Sequence, residues 1–214
     1  MLFAPPAYTP NKKQRSTMNI KKYKGWLIAA AVVVVVLLWA GSVYNSLVSQ
    51  EEAVGNQWAD VETQYQRRAD LVPNLVATVK GYAAHEQQTL EAVVKARSEA
   101  TQTHIDAADL TPEKMADYQK AQSNLSGALG RLLLVQEKYP DLKANENFLD
   151  LQAQLEGTEN RISVARRDFN AVAREYNVAI RRFPNNIFAS LFGFSAKTYF
   201  EAEKGAEKAP EVKF

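Results

Sequence analysis

Two places in this sequence combine residue types that could do chemistry. The first is His85-Glu86-Gln87-Gln88-Thr89. On a helix, two histidines four residues apart with a glutamate beside the first would hold zinc and supply a general base. Here Thr89 stands where the second histidine belongs, so one helical turn offers a single imidazole. The other histidine, His104, lies nineteen residues further on, and with no cysteine in the chain there is neither a thiolate ligand nor a thiol nucleophile. No GxSxG elbow, Walker-type phosphate loop or GxGxxG turn occurs. A hydrolase using His85 and acidic neighbours is the enzymatic alternative. The reading adopted assigns no catalytic residue, no metal ligand, no cofactor and no small-molecule substrate.

The second place surrounds a proline. Arg67, Arg68, Asp70, Pro73 and Asn74, with Gln66, form a candidate structural or recognition cluster. Arg68 falls on an otherwise apolar helical stripe, where a lone charge is expensive. One reading pairs it with an acidic residue of a neighbouring helix, or with the carbonyl of Ala69 that Pro73 leaves without its donor. The other makes the cluster a recognition notch at a bend, because Pro73 must kink or break its helix.

The elements that carry these residues are long helices with 3–4 spacing. Val54, Trp58, Val61, Tyr65, Arg68, Val72, Leu75, Val79 and Tyr82 form one seam, continued after a phase shift by Leu90 and Val93. The stretch from 104 to 110 ends this first helix. Thr111-Pro112-Glu113 then caps and starts a second, with the seam Met115, Tyr118, Gln122, Leu125, Leu129, Leu132, Gln136 and Tyr139. Asn145 or a neighbour starts the third. Its seam is Phe148, Leu151, Leu155, Thr158, Ile162, Ala165, Phe169, Val172, Tyr176, Ala179 and Phe183, and Pro184 stops it. The blocks RDFN, REYN and RRFP recur at heptad spacing along it, and Asn170 and Asn177 read as residues that fix helix register. The fold class is all-α: an antiparallel up-and-down bundle of three long helices, plus a short C-terminal helical segment ending at Gly193.

Ahead of the bundle, residues 25–44 are twenty residues without a charge. As a helix they are ~30 Å long, the thickness of a bilayer's hydrocarbon core. Six basic residues and no acidic one precede the run, which puts the N-terminus in the cytoplasm and the rest of the chain outside it. Tyr23, Trp26, Trp39 and Tyr44 suit the interfacial aromatic belts. A cleaved signal peptide ending near Ala40-Gly41-Ser42 is the rival, opposed by the bulky Trp39. All 24 acidic residues follow the run, and residues 45–214 carry a net charge of −4, which gives no footprint for nucleic acid. The domains expected are a basic, disordered leader (1–24, translation starting at Met1 or Met18), a transmembrane helix (25–44), the bundle (45–183) and an apolar segment (184–214). That last segment, with Phe188, Leu191, Phe192 and Phe194, caps an open end of the bundle or docks a partner or a bilayer surface.

The blocks YNSLV (44–48), WADVE (58–62), QRRADLVPNLV (66–76), GYAAHE (81–86), Ala96-Arg97, the repeats of the third helix, FPNN (183–186), Gly193-Phe194 and YFE (199–201) resemble the LemA family of bacterial membrane proteins. The resemblance spans residues 20–214. It implies one N-terminal membrane helix and an antiparallel helical bundle, brings no established activity, and includes relatives in membrane-shaping systems such as magnetosome formation. The expectation is a non-enzymatic, membrane-anchored scaffold or adaptor in a bacterial inner membrane. Its partners are the lipid bilayer and, by self-association or otherwise, membrane proteins. A component of transmembrane stress or signal response, acting through a partner, is the alternative.

Overall fold

The computed structural model describes residues 20–201. Most of the leader expected over 1–24, a start at Met18, and the end of the 184–214 segment lie outside those residues. The described chain is mostly helix, without a strand: α1 (Ile20–Tyr82), α2 (Gln87–Gln102), α3 (Pro112–Leu134), the single turn α4 (Pro140–Lys143), α5 (Glu146–Arg181) and α6 (Asn185–Phe192). It divides into two units, Met1–Ser42 and Val43–Phe214.

In the first unit, the apolar side chains of α1 are bare. Val32 to Leu38 are each 49–71% exposed. A core helix of a water-soluble protein buries such a stripe, whereas a helix that is apolar all round and uncovered suits lipid. By length and composition this helix can cross a membrane.

The second unit is an up-and-down bundle, and its pairings give the directions. Arg97 on α2 meets Ala69 on α1, and Ile105, just past α2, meets Trp58, so α2 runs against α1. Tyr118 meets Tyr65, and Gln122 meets Arg68, so α3 runs with α1. Phe169 meets Trp58, and Glu159 meets Arg68, so α5 runs against it. The bundle therefore holds one helix more than the periodicity resolves. The first heptad stretch does not run on to residue 103; it turns at 83–86, and α2 folds back on α1.

Pro73 does not make this turn. α1 continues through it to Tyr82, and the carbonyl that Pro73 leaves unbonded is satisfied from α2, where Arg97 Nε donates to Ala69 O at 2.8 Å. Arg68 thus has no part in that repair. Thr111 and Asn145 cap α3 and α5, accepting from the backbone N–H of Lys114 and Phe148. Gly193, at φ 80°, ends α6 in the left-handed region that glycine enters without strain.

Two apolar clusters fill the interior. One gathers Leu47, Trp58, Tyr65, Tyr118, Phe169 and Tyr176; the other gathers Val72, Val79, Leu90, Leu132, Phe148 and Leu155. The seam positions expected on the helices are buried with few exceptions. Tyr82 is exposed because the chain is turning there, and Phe183 is exposed because α5 ends at Arg181, leaving Ile180 as its last buried residue. Gln136 and Tyr139 are half-buried, since α3 gives way to a 3-10 turn, Val135–Lys138, before Pro140.

Candidate functional site

Besides Gln136, which is half-buried in the turn after α3, three seam positions are polar: Arg68 on α1, Gln122 on α3 and Thr158 on α5. All three are buried; Arg68 and Gln122 meet, whereas Thr158 bonds within α5, donating to Gln154 O and accepting from Arg161. Arg68 is 1% exposed, and its guanidinium spans the interior. Nη1 donates to Ser126 Oγ at 2.5 Å and to Glu159 Oε1 at 2.6 Å; Nη2 donates to Gln122 Oε1 at 2.7 Å and Gln122 O at 3.1 Å. Gln122 passes the link on, donating from Nε2 to Ala100 O at the end of α2. One arginine fork thereby ties all four long helices at a single level. Lysine has no planar fork to place four such bonds.

The rest of the expected cluster does not join it. Arg67, Asp70, Pro73 and Asn74 are exposed, and Asp70 accepts only a local bond from Gln66, one turn away. Residues adjacent in sequence face different ways round a helix, so a constellation drawn from consecutive residues splits into a buried member and a solvated set.

Beside Arg68 lies a cleft of about 670 Å³, lined in part by Tyr65, Arg68, Gln122, Glu159, Arg166 and Tyr199. Arg68 is bonded through Nη1 and Nη2 as above, with its buried Nε left without a partner, and Arg166 lies over the Phe200 ring, with a bond to Glu201 O. Burial pushes the Tyr65 phenol above its ordinary value, so it stays protonated at neutral pH. Neither histidine is among the described residues lining this cleft. Its groups can hold hydrogen bonds and ions. Ser126 Oγ donates to Glu159 Oε1 at 3.4 Å while accepting from Arg68, so both groups belong to the tie between helices.

The histidines stand apart. His85 is exposed in the turn before α2, and His104 follows α2, a helix ~24 Å long. His104 Nδ1 is 2.9 Å from Glu62 Oε1. Burial raises the Glu62 carboxyl above its ordinary value and outweighs the opposing pull of His104. The folded state therefore holds that proton more firmly than the unfolded chain, and ionising Glu62 costs stability as pH rises above 4.5. Glu62→Gln is expected to raise Tm at neutral pH and to leave it unchanged well below that value. Thermal melts across pH check this, and a lower Tm for the variant at neutral pH would mean that the His104 pair outweighs burial.

Asn170 and Asn177 do something the sequence did not disclose. Each presents its amide to the backbone of a C-terminal strap, residues 193–201. Asn177 donates to Lys197 O and accepts from Lys197 N, both at 2.8 Å, and also donates to Tyr199 Oη. Asn170 makes the same pair with Phe200, at 2.9 and 2.8 Å. The strap is then locked by its side chains. Phe200 packs on Trp58 and Phe169, and the buried Lys197 reaches Glu51 on α1 at 2.7 Å.

The expected interaction segment runs along α6 into the start of the strap. Phe188 and Phe194 are half-buried, while Leu191 and Phe192 are exposed; Ala189 carries α6 into the core. The rings of Phe192 and Phe194 lie 5.1 and 5.7 Å from that of Tyr44.

Comparison with known proteins adds a family. The model of the LemA family matches residues 57–214. The chain is 29% identical over 186 residues to magnetosome protein MamQ 2 of Paramagnetospirillum magneticum, covering 79% of this chain and 68% of that protein. The figures are the same for magnetosome protein MamQ of Magnetospirillum gryphiswaldense. Protein LemA of Metamycoplasma hominis is 24% identical over 160 residues, covering 75% of this chain and 69% of that one.

Proposed function

The chain belongs to the LemA family, and from that premise we propose that it is a non-enzymatic, membrane-anchored helical scaffold or adaptor. Residues 25–44 cross the inner membrane, the leader over 1–24 stays in the cytoplasm, and the bundle of 45–183 with its 184–214 segment stands on the extracytoplasmic face. It works through contacts with other membrane proteins or further copies of itself.

The observation that carries this reading is where the polar groups go. The one buried guanidinium, the two heptad asparagines and the buried lysine among the described residues all hold helices or the strap together. None is aimed at a reacting centre. The uncovered apolar helix supports a membrane, and the basic flank before it favours the cytoplasm for the N-terminus. Relatives named as magnetosome proteins favour an assembly role over turnover of a substrate.

Crosslinking in native membranes is expected to give discrete species above the monomer, and affinity capture of them to return membrane proteins. A strictly monomeric ladder at native expression would remove the scaffold reading. Reporter fusions at Met18 and Phe214 test the side, and a cytoplasmic C-terminus would overturn the placement.

A further inference from the structure

We propose that α6 is a lipid-binding foot, which lays Ile187, Leu191 and Phe192 into the headgroup layer of the bilayer that residues 25–44 cross. The proposal rests on the membrane-anchored reading and adds a second attachment, made by the bundle itself.

α6 is short and apolar, and only its Ala189 is fully buried. Phe183, just before it, is 81% exposed, Ile187 56%, Leu191 73% and Phe192 50%. Four large apolar side chains in ten residues are thus left in water at one end of the bundle. A patch of that kind marks a surface that something covers.

Two observations say what covers it. The first is position. Tyr44 closes the uncharged run, so it is where the chain leaves the hydrocarbon. The rings of Phe192 and Phe194 pack on the ring of Tyr44. The apolar face of α6 therefore sits beside the residue that marks the lipid–water boundary. The second is charge. No Asp or Glu occurs from residue 176 to 200, while Arg181 and Arg182 stand exposed immediately before α6. Apolar side chains flanked by guanidinia fit an anionic lipid surface, with the rings among the acyl boundary and the cations at the phosphates. The same arrangement disfavours a second copy of this chain, because two such faces would oppose arginine with arginine.

The chain has no cysteine, so Leu191→Cys provides a single labelling site at an exposed position where folding is not at stake. The full-length variant, carrying an environment-sensitive fluorophore at that position, is reconstituted into vesicles of phosphatidylcholine and phosphatidylglycerol. A Leu134→Cys control, on a residue equally exposed but next to the other apolar cluster, is treated alike. Emission from position 191 is expected to shift to the blue and to lose most of its intensity to lipids spin-labelled near the headgroup. Emission from position 134 is expected to be unchanged. Arg181→Glu with Arg182→Glu in the same background should reduce the quenching at 191. If the chain floats with the vesicles after an alkaline wash and position 191 is not quenched, the foot is wrong and the anchor stands. If the chain does not float, the anchored reading fails and the foot with it. A disulfide between two copies at position 191, without lipid quenching, would assign the face to a second copy and overturn the proposal.

Discussion

Glu159→Ala is expected to destabilise the bundle more than Arg68→Met, although Glu159 is the exposed partner of the pair. The reason is what each change leaves behind. Without Glu159, whose side chain is 46% exposed, the guanidinium of Arg68 stays in the interior at 1% exposure with no counter-charge. Removing one partner of a buried pair costs ~3–5 kcal/mol. The lower end applies, about 3 kcal/mol, because Gln122 and Ser126 still accept from the fork. Arg68→Met takes the charge out of the interior and fills the stem's volume with an unbranched chain. Glu159 then turns to water. The remaining loss is the Gln122 acceptors left unmet, about 1–2 kcal/mol. The double variant should resemble Arg68→Met alone and be more stable than Glu159→Ala. In detergent micelles, followed by helical circular dichroism, Glu159→Ala should lower Tm by about 6–12 °C. Strictly additive losses in the double variant would show that the two groups are not coupled, and the polar layer would lose its place as the tie between helices.

Much of this layer was written in the sequence. Arg68 and Gln122 each interrupt an apolar seam, and polar residues that keep strict seam phase on two helices are candidates for one shared network; Thr158 interrupts the third seam but bonds within its own helix. Heptad spacing also marked Trp58, Phe169 and Tyr176 for the interior, where they are found. Two things were not legible, each for a physical reason. The turn at 83–86 is short, and Leu90, Val93, Ala96 and Ala100 resume the 3–4 spacing directly after it. A count of apolar intervals reads straight through such a turn. Gly81 was the local signal, two residues ahead. The asparagines were harder. Periodicity says which face of a helix a residue lies on, and Asn170 and Asn177 lie correctly beside the seam. It says nothing of a partner that lies twenty to thirty residues downstream in a segment with no period at all.

That segment sets the second large effect. Asn170 and Asn177 are seven residues apart on α5, a separation of ~10.5 Å along the axis. Their partners, Phe200 and Lys197, are three residues apart, and extended chain covers that distance in ~10 Å. The heptad asparagine is therefore a ruler matched to a strap that runs back along the helix. Asn177→Ala leaves the N–H and C=O of Lys197 without partners in a buried setting. Each such group costs ~1–3 kcal/mol, so a loss of about 3 kcal/mol is expected. Asn177→Asp should not rescue it: the carboxylate can still accept from Lys197 N, but it faces Lys197 O with a lone pair where the amide had a donor. Asn170→Ala should cost less, because that residue is only half-buried. The effect should also be local before it is global. Hydrogen exchange at the amides of Lys197 and Phe200 should speed up in Asn177→Ala while the amides of α1 around Trp58 keep their protection. If both strap amides stayed protected in the Asn170→Ala/Asn177→Ala double variant, the strap would be held by its other contacts, the packing of Phe200, the Lys197–Glu51 pair and the bonds of Glu201 O and Thr198 N. Release of the strap also frees the end of α6, since Phe194 sits between Gly193 and the first pinned residue, Lys197. The same variants should then loosen the packing of Phe194 on Tyr44.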